Sequence, residues 1–418
     1  MELFDFIKNA PNAYFAVDAL TKELLREGFI RLEENESWLI KPGKYFVTRD
    51  DSSLIAFVIP KKNFLGFHIV ASHSDSPCFK IKPNPEMKAG NAYVKLNVEK
   101  YGGMIISTWF DRPLSVAGRV ITDTKSGIKT RLVNIDRDLL VIPSLAIHMD
   151  RNANEGHKYE VQKELLPLFS CSEDEKENRL LSLLCKENGI KESSVLDSDL
   201  FLYSRQTPFC FGMNKEFISS PRLDDLQCVY GSLQGMLGAK PKNHVAMFAV
   251  FNNEEVGSET KQGAASSFLT DVIDRICEKY AASKEDRSKI LSSSFMISAD
   301  NAHALHPNYP EKTDPTNKPV LNGGIVIKYN ASQKYTTDAV SAAAMRKLCK
   351  KAGANVQEYV NPSDIPGGST LGSIATARVS VSTVDIGLPQ LAMHSACETA
   401  GAKDTDDLIR VTKEFFSE

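Results

Sequence analysis

The chain has 418 residues, beyond the length at which a single hydrophobic core keeps growing, so two domains or one domain carrying a large insertion are expected. Hydrophobic residues make up 42% and charged residues 25%, the balance of a globular chain rather than a disordered or fibrous one. A net charge of -3 gives no electrostatic footing for nucleic acid or an anionic membrane. The opening residues, MELFDFIKNAPNAY, carry Glu2, Asp5 and Lys8 where a secretory signal needs an unbroken apolar run, and no stretch approaches a membrane span. Eight scattered cysteines without a CxxC pair read as reduced thiols, so a cytoplasmic protein is expected.

In chain order, FLGFHIVAS ahead of His73 reads as a strand buried on both faces, as do VAMFAVF ahead of Asn252 and SFMISAD, which ends on Asp300. GGIVIKY and VSVSTVDIG have the same texture. TTDAVSAAAMRKLCKKAG opens on Thr/Asp capping residues, places its basic residues late and stops at Gly353, which predicts a helix between two of these strands. The alternation predicts an α/β fold with a mostly parallel mixed sheet flanked by helices. From Met87 to Ser219 the runs are short, β-like and broken by Gly, Pro and Asp. This predicts a β-rich insertion over 87–219 within a discontinuous domain of 1–86 and 220–418. The charged SEDEKENRLLSLLCKENG inside the insertion reads as a surface helix with a leucine side.

Residues able to hold a metal fall at the ends of the predicted strands. His73 and Asp75 lie in ASHSDSP, the doublet Glu254-Glu255 follows VAMFAVF, Asp300 closes SFMISAD, and His394 follows VSVSTVDIG by a short turn. In open α/β sheets the ligand crevice lies outside the carboxyl ends of the strands, so these segments should converge. Asp224, in SPRLDDL, sits where the chain re-enters the core. Singly, a histidine here is a hydrogen-bonded structural residue and an acid is a cap or a turn residue. Together, two His, two Asp and one Glu suit a pair of zinc-type cations, and a hydrolytic site also needs a base that is not a ligand. Glu254 and Glu255 can supply a ligand and a base side by side. PGGSTLGS, at residues 366–373, lacks the lysine and spacing of a phosphate-binding loop.

These segments, with YGGMIISTWFDRPLSVAGRV, IPSLAIHMDRNANE, SADNAHALHPNY and GGIVIKYNASQKY in the same order, resemble the aspartyl aminopeptidase and aminopeptidase I family along nearly the whole chain. The resemblance implies a zinc exopeptidase-like domain with an inserted dimerisation domain. It implies two divalent ions per subunit, zinc in the first instance with Mn or Co open. One would be held by His73, Asp224 and Asp300, the other by Asp224, Glu255 and His394. Glu254 would then be the general base and Asp75 the carboxylate behind His73. By the same resemblance His148 reaches a neighbouring active site, while Lys328, Tyr335 and His303 meet the substrate. It further implies peptide substrates with N-terminal Asp or Glu, and dimers assembled into a tetrahedral dodecamer. A neutral, leucine-type preference stays open, as does a noncatalytic assembly protein that keeps the fold. Two departures stand out: Asp225 replaces a common amide and Asn301 a common methionine.

Overall fold

The computed structural model describes residues 1–60, 63–171, 178–281, 283–368 and 370–418. Two compact units emerge: one of residues 1–75, 208–393 and 398–418, the other of residues 76–207 and 394–397. The second unit thus begins at Ser76 where 87 was expected, its long stretch ends at Thr207 where 219 was expected, and the chain returns to it for residues 394–397. The reason is the strand Cys78–Ala89, which belongs to the second unit's sheet along its whole length.

The first unit is built on a mixed sheet of nine strands among the described residues: β1 (Ile30–Leu32), β2 (Gly43–Arg49), β3 (Ser53–Ile59), β4 (Gly66–His73), β5 (His244–Phe251), β6 (Phe295–Ala299), β7 (Ile325–Tyr329), β8 (Val356–Val360) and β9 (Ser382–Gly387). Their order across the sheet is β1-β2-β3-β5-β4-β6-β9-β7-β8. The central run β5-β4-β6-β9 is parallel, while β2-β3, β3-β5 and β9-β7 pair antiparallel.

Side-chain alternation explains why these strands read as continuous apolar runs. On β5, Ala246, Phe248 and Val250 enter one core, together with Val70 of β4 and the helices Ala13–Arg26, Leu223–Gly238, Ala339–Ala352 and Asp404–Ser417. Val245, Met247, Ala249 and Phe251 enter the other with Ile69, Ala71 and the helix Phe268–Tyr280. Each fully buried Phe, Ile or Met in these layers contributes roughly 1.5–3 kcal/mol, so the central strands are the most firmly held part of the unit. The helix Ala339–Ala352 starts and stops for the predicted reasons: Asp338 and Ser341 form a reciprocal cap, and Gly353 takes the left-handed φ of 64°.

A smaller sheet of the same unit runs Phe209–Phe211, Phe217–Ser220, Glu398–Gly401, Pro389–Leu391, Ala302–His303. The second unit is an antiparallel sheet, six-stranded among the described residues, ordered Gly127–Asn134, Leu114–Thr124, Val195–Ser204, Cys78–Ala89, Tyr93–Tyr101, Leu168–Cys171. The predicted leucine-sided helix forms over Arg179–Glu187 and buries Leu180, Leu184 and Cys185; residues 172–177 of that stretch lie outside the described residues. No disulfide joins any of the eight cysteines. Among the described residues no helix is long and apolar enough to cross a membrane.

Candidate metal centre

Three neighbouring parallel strands, β5, β4 and β6, end side by side, and each delivers acids or a histidine at its carboxyl end. His73 is the last residue of β4 and is buried. Its Nε2 lies 3.3 Å from Asp224 Oδ1 and 3.6 Å from Asp300 Oδ1. On the other side of the ring, Nδ1 lies 3.0 Å from the backbone carbonyl of Asp75 and 3.6 Å from its carboxylate. A carbonyl facing Nδ1 keeps the proton there and turns Nε2 toward the carboxylates as the free ligand atom.

Asp75 was expected to serve His73 through its side chain. In the structure its carboxylate lies 3.6 Å from His73 Nδ1 and also accepts the backbone N–H of Glu254 and of Glu255, each at 3.2 Å. The doublet occupies a single 3-10 turn, Glu254–Val256, entered through Asn253 at φ 61°. Asparagine tolerates this left-handed conformation, and its side-chain oxygen is held by Thr260 Oγ1 at 2.9 Å and Gln262 Nε2 at 2.8 Å. The entry to the turn is therefore fixed twice, through Asp75 and through Asn253. Asp224 sits at the irregular start of the helix Leu223–Gly238, buried, with its backbone N–H donated to Glu398 Oε2 at 3.0 Å. Asp300 follows β6, and Gly387 lies so close that a Cβ there would stand 2.1 Å from the Asp300 carbonyl oxygen.

Ligand-capable atoms of His73, Asp224, Asp225 and Asp300 all fall within 4.8 Å of one another, as do those of His73, Glu254 and Glu255. Burial alone would favour a neutral His73 ring, but Asp224, Asp300 and Asp75 outweigh it and hold the ring well above its ordinary range. Burial pushes Glu254 up to about 7; His73 opposes this, while Asp300, Asp75 and Asp224 add to it. Burial likewise drives Asp225 well above the carboxylate range. Carboxylates crowded this closely around one imidazole nitrogen repel each other unless cations sit among them. One nitrogen with several carboxylate oxygens is the donor set that zinc-type ions accept, so the residues fit the implied metal.

Lys328, on β7, is buried, with Nζ 3.2 Å from Asp300 Oδ2 and 5.6 Å from the centre of the Tyr335 ring. Burial pulls its ammonium down, but Asp300, Tyr335 and Asp385 outweigh that and keep it firmly charged. Asp385 is a satisfied structural acid, receiving Thr370 Oγ1 at 2.6 Å and the N–H of Thr336 at 2.6 Å. It accounts for Gly372 in the glycine-rich loop, where a Cβ would stand 2.5 Å from its Oδ1; Ser369 of that loop lies outside the described residues. His303 is exposed, its ring 5.9 Å from that of Tyr359. His306 is half-buried and caps a local turn through Asn308 N–H.

His148 and His394 belong to the second unit. His148 is exposed in a turn, while His394 has a left-handed φ of 67° and its Nδ1 faces the Gly103 carbonyl. Glu398, which holds the Asp224 backbone, was not singled out from the sequence. Its signal was a lone acid within the apolar segment that starts the strand Glu398–Gly401, a position that is buried.

The family described as aminopeptidase I zinc metalloprotease (M18) matches residues 6–416 of this chain. A probable M18 family aminopeptidase 2 of Clostridium acetobutylicum is 46% identical over 426 residues, covering 100% of this chain and 98% of its own. One from Pseudomonas aeruginosa is 41% identical over 422 residues, covering 99% and 97%. Among solved structures, Ape4 in its complex with Nbr1 is similar with a TM-score of 0.95 at 38% identity, covering 99% of this chain and 84% of that one. The mApe1 dodecamer of S. cerevisiae is similar with a TM-score of 0.88 at 26% identity, covering 99% and 95%. The chain belongs to the M18 family. It is a metal-dependent aminopeptidase, a hydrolase of peptide bonds.

Proposed function

We propose that the chain removes N-terminal Asp or Glu from peptides at a cocatalytic pair of divalent ions, with Glu254 as the general base. The observation that carries this reading is the meeting of His73, Asp224 and Asp300 with the Glu254-Glu255 turn at the ends of three adjacent strands. His73, Asp224 and Asp300 would hold one ion and Asp224, Glu255 and His394 the other, with zinc the first choice. Bound there, the ions supply Lewis-acid polarisation of the scissile carbonyl and lower the pKa of a water at the site. Glu254 takes the proton of the attacking water and returns it to the nitrogen that leaves as the C–N bond breaks. Asp75 holds the turn so that Glu254 stays in reach, and its carbonyl at His73 Nδ1 leaves Nε2 turned toward the Asp224 and Asp300 carboxylates.

His148, offered by a second copy of the chain, would steady the developing oxyanion. Its neighbours Leu145, Ile147 and Met149 are exposed apolar side chains, which supports covering of this loop by another subunit. The assembly proposed is a dodecamer, like that of the yeast relative, and for this chain it would be built tetrahedrally from dimers through the β-rich unit and work in the cytoplasm. Lys328, with Tyr335 and His303 around the substrate, would select the acidic side chain. A cation in a dry pocket rejects neutral residues because it is left unpaired. One observation favours a neutral preference instead: Lys328 already pairs with Asp300. The noncatalytic alternative is set aside, since the chain belongs to a family of peptidases.

Hydrolysis of Asp-, Glu- and Leu-derived chromogenic substrates, with metal analysis of the same preparation, tests the reading. Turnover led by Asp and Glu substrates at two metals per chain is expected. Turnover led by Leu would replace the acidic preference with the neutral one, and turnover undiminished by complete metal removal would overturn the mechanism.

A further inference from the structure

We propose that Asp225 is a positioning residue of the metal centre: its carboxylate ties together the three chain segments that carry His73, Asp224 and Asp300. The inference rests on the metal-centre reading above and concerns a residue outside the proposed ligand set. Asp225 is fully buried. Its Oδ2 accepts the backbone N–H of His73 at 3.1 Å, at the point where β4 ends and its histidine must face the site. Its Oδ1 lies 3.2 Å from the side-chain amide of Asn301; turned over, that amide donates to Asp225 Oδ1 and to the Leu223 carbonyl, each at 3.2 Å, in place of the 2.9 Å bond its Nδ2 otherwise donates to Gln227 Oε1. Asn301 is buried and directly follows Asp300, and Asp225 directly follows Asp224.

A single carboxylate is therefore bonded, one residue away or less, to each of the segments that supply the first metal's donors. Its oxygens lie close enough to those donors to be counted among them. Both, however, are engaged, one by the His73 backbone N–H and the other by the Asn301 side-chain amide, so Asp225 acts on the ions through the geometry it imposes. A buried carboxylate with both oxygens engaged in this way holds its neighbours against collapse of the site when the ions are removed.

The test separates acceptor from charge. Asp225→Asn removes the charge but keeps an oxygen for the His73 N–H, whereas Asp225→Leu keeps the branched shape and removes the acceptor. Metal-free full-length protein of each variant is titrated with Co2+, reading both affinity and the visible absorption band, which reports ligand geometry. Asp225→Asn is expected to bind within about threefold of wild type with the same band, and Asp225→Leu at least tenfold more weakly with an altered one. Equal, large losses in both variants would make Asp225 a ligand or a source of charge and overturn the proposal. So would a folded Asp225→Leu protein with wild-type affinity and band. Should Asp225→Leu fail to fold, Asn301→Ala carries the test: a tenfold loss with an altered band supports the proposal, and wild-type behaviour overturns it. A wild-type protein that takes up no Co2+ would instead fail the metal-centre reading itself.

Discussion

The Asp75 carboxylate accepts the backbone N–H of Glu254 at 3.2 Å, and its second oxygen does the same for Glu255. One side chain thus sets the position of the proposed base and of the proposed ligand beside it, while its backbone carbonyl orients His73. Asp75→Ala should therefore lower kcat/KM by roughly 10–100-fold and loosen metal binding together, the usual result of removing a group that orients ligands. Asp75→Asn should be damaged nearly as much, because an amide offers one acceptor where two are needed. Steady-state kinetics with chelator competition on both variants would check this. An Asp75→Asn enzyme with wild-type metal affinity and rate would show that one N–H suffices.

Lys328 lies 3.2 Å from Asp300 and is buried, so its role in choosing substrates is tied to a proposed ligand. Lys328→Met should reduce kcat/KM for substrates with N-terminal Asp or Glu at least tenfold more than for Leu, with metal occupancy read in the same samples. Equal losses on both substrate types would assign Lys328 to holding Asp300 instead.

A pH effect is expected away from the site. His68 is buried between His244 and Phe415, with ring centroids 3.9 and 4.3 Å away, and its Nδ1 lies 2.8 Å from the Phe415 carbonyl. Burial, reinforced by the neighbouring His244, lowers it to about 4 from 6.5. Its folded pKa is depressed, so the unfolded chain binds the proton first as pH falls. The stability this residue supplies is complete above pH 6.5 and is lost between 6.5 and about 4, by up to about 3 kcal/mol. Urea unfolding at pH 4.5 and 7.5 should show a smaller difference for His68→Phe than for wild type. An unchanged difference would place the protonation elsewhere.

Much of this architecture could be read from residues. β4 and β5 are buried on both faces, so the sequence shows them as unbroken apolar runs that stop where polar residues begin, and that stop marks the site. The helix Ala339–Ala352 carried its own cap and stop. The antiparallel neighbours were not legible, because β3, with its core alternating between two buried faces, looks like a parallel strand. The Asp75 contacts were hidden for another reason: they run to backbone N–H groups 179 and 180 residues away, which no side-chain spacing encodes. The same holds for Glu398 with the N–H of Asp224 and for the pairing of Lys328 with Asp300, since each depends on strand order rather than strand content.

The central claim is the division of labour within the doublet, Glu255 binding metal and Glu254 moving protons. Metal stoichiometry measured alongside turnover in Glu254→Gln and Glu255→Gln tests it most directly. The account predicts that Glu254→Gln keeps its full metal content and loses at least about 100-fold in kcat, the contribution of a general base, whereas Glu255→Gln loses metal. Loss of metal from Glu254→Gln with retention in Glu255→Gln would contradict it and exchange the two roles.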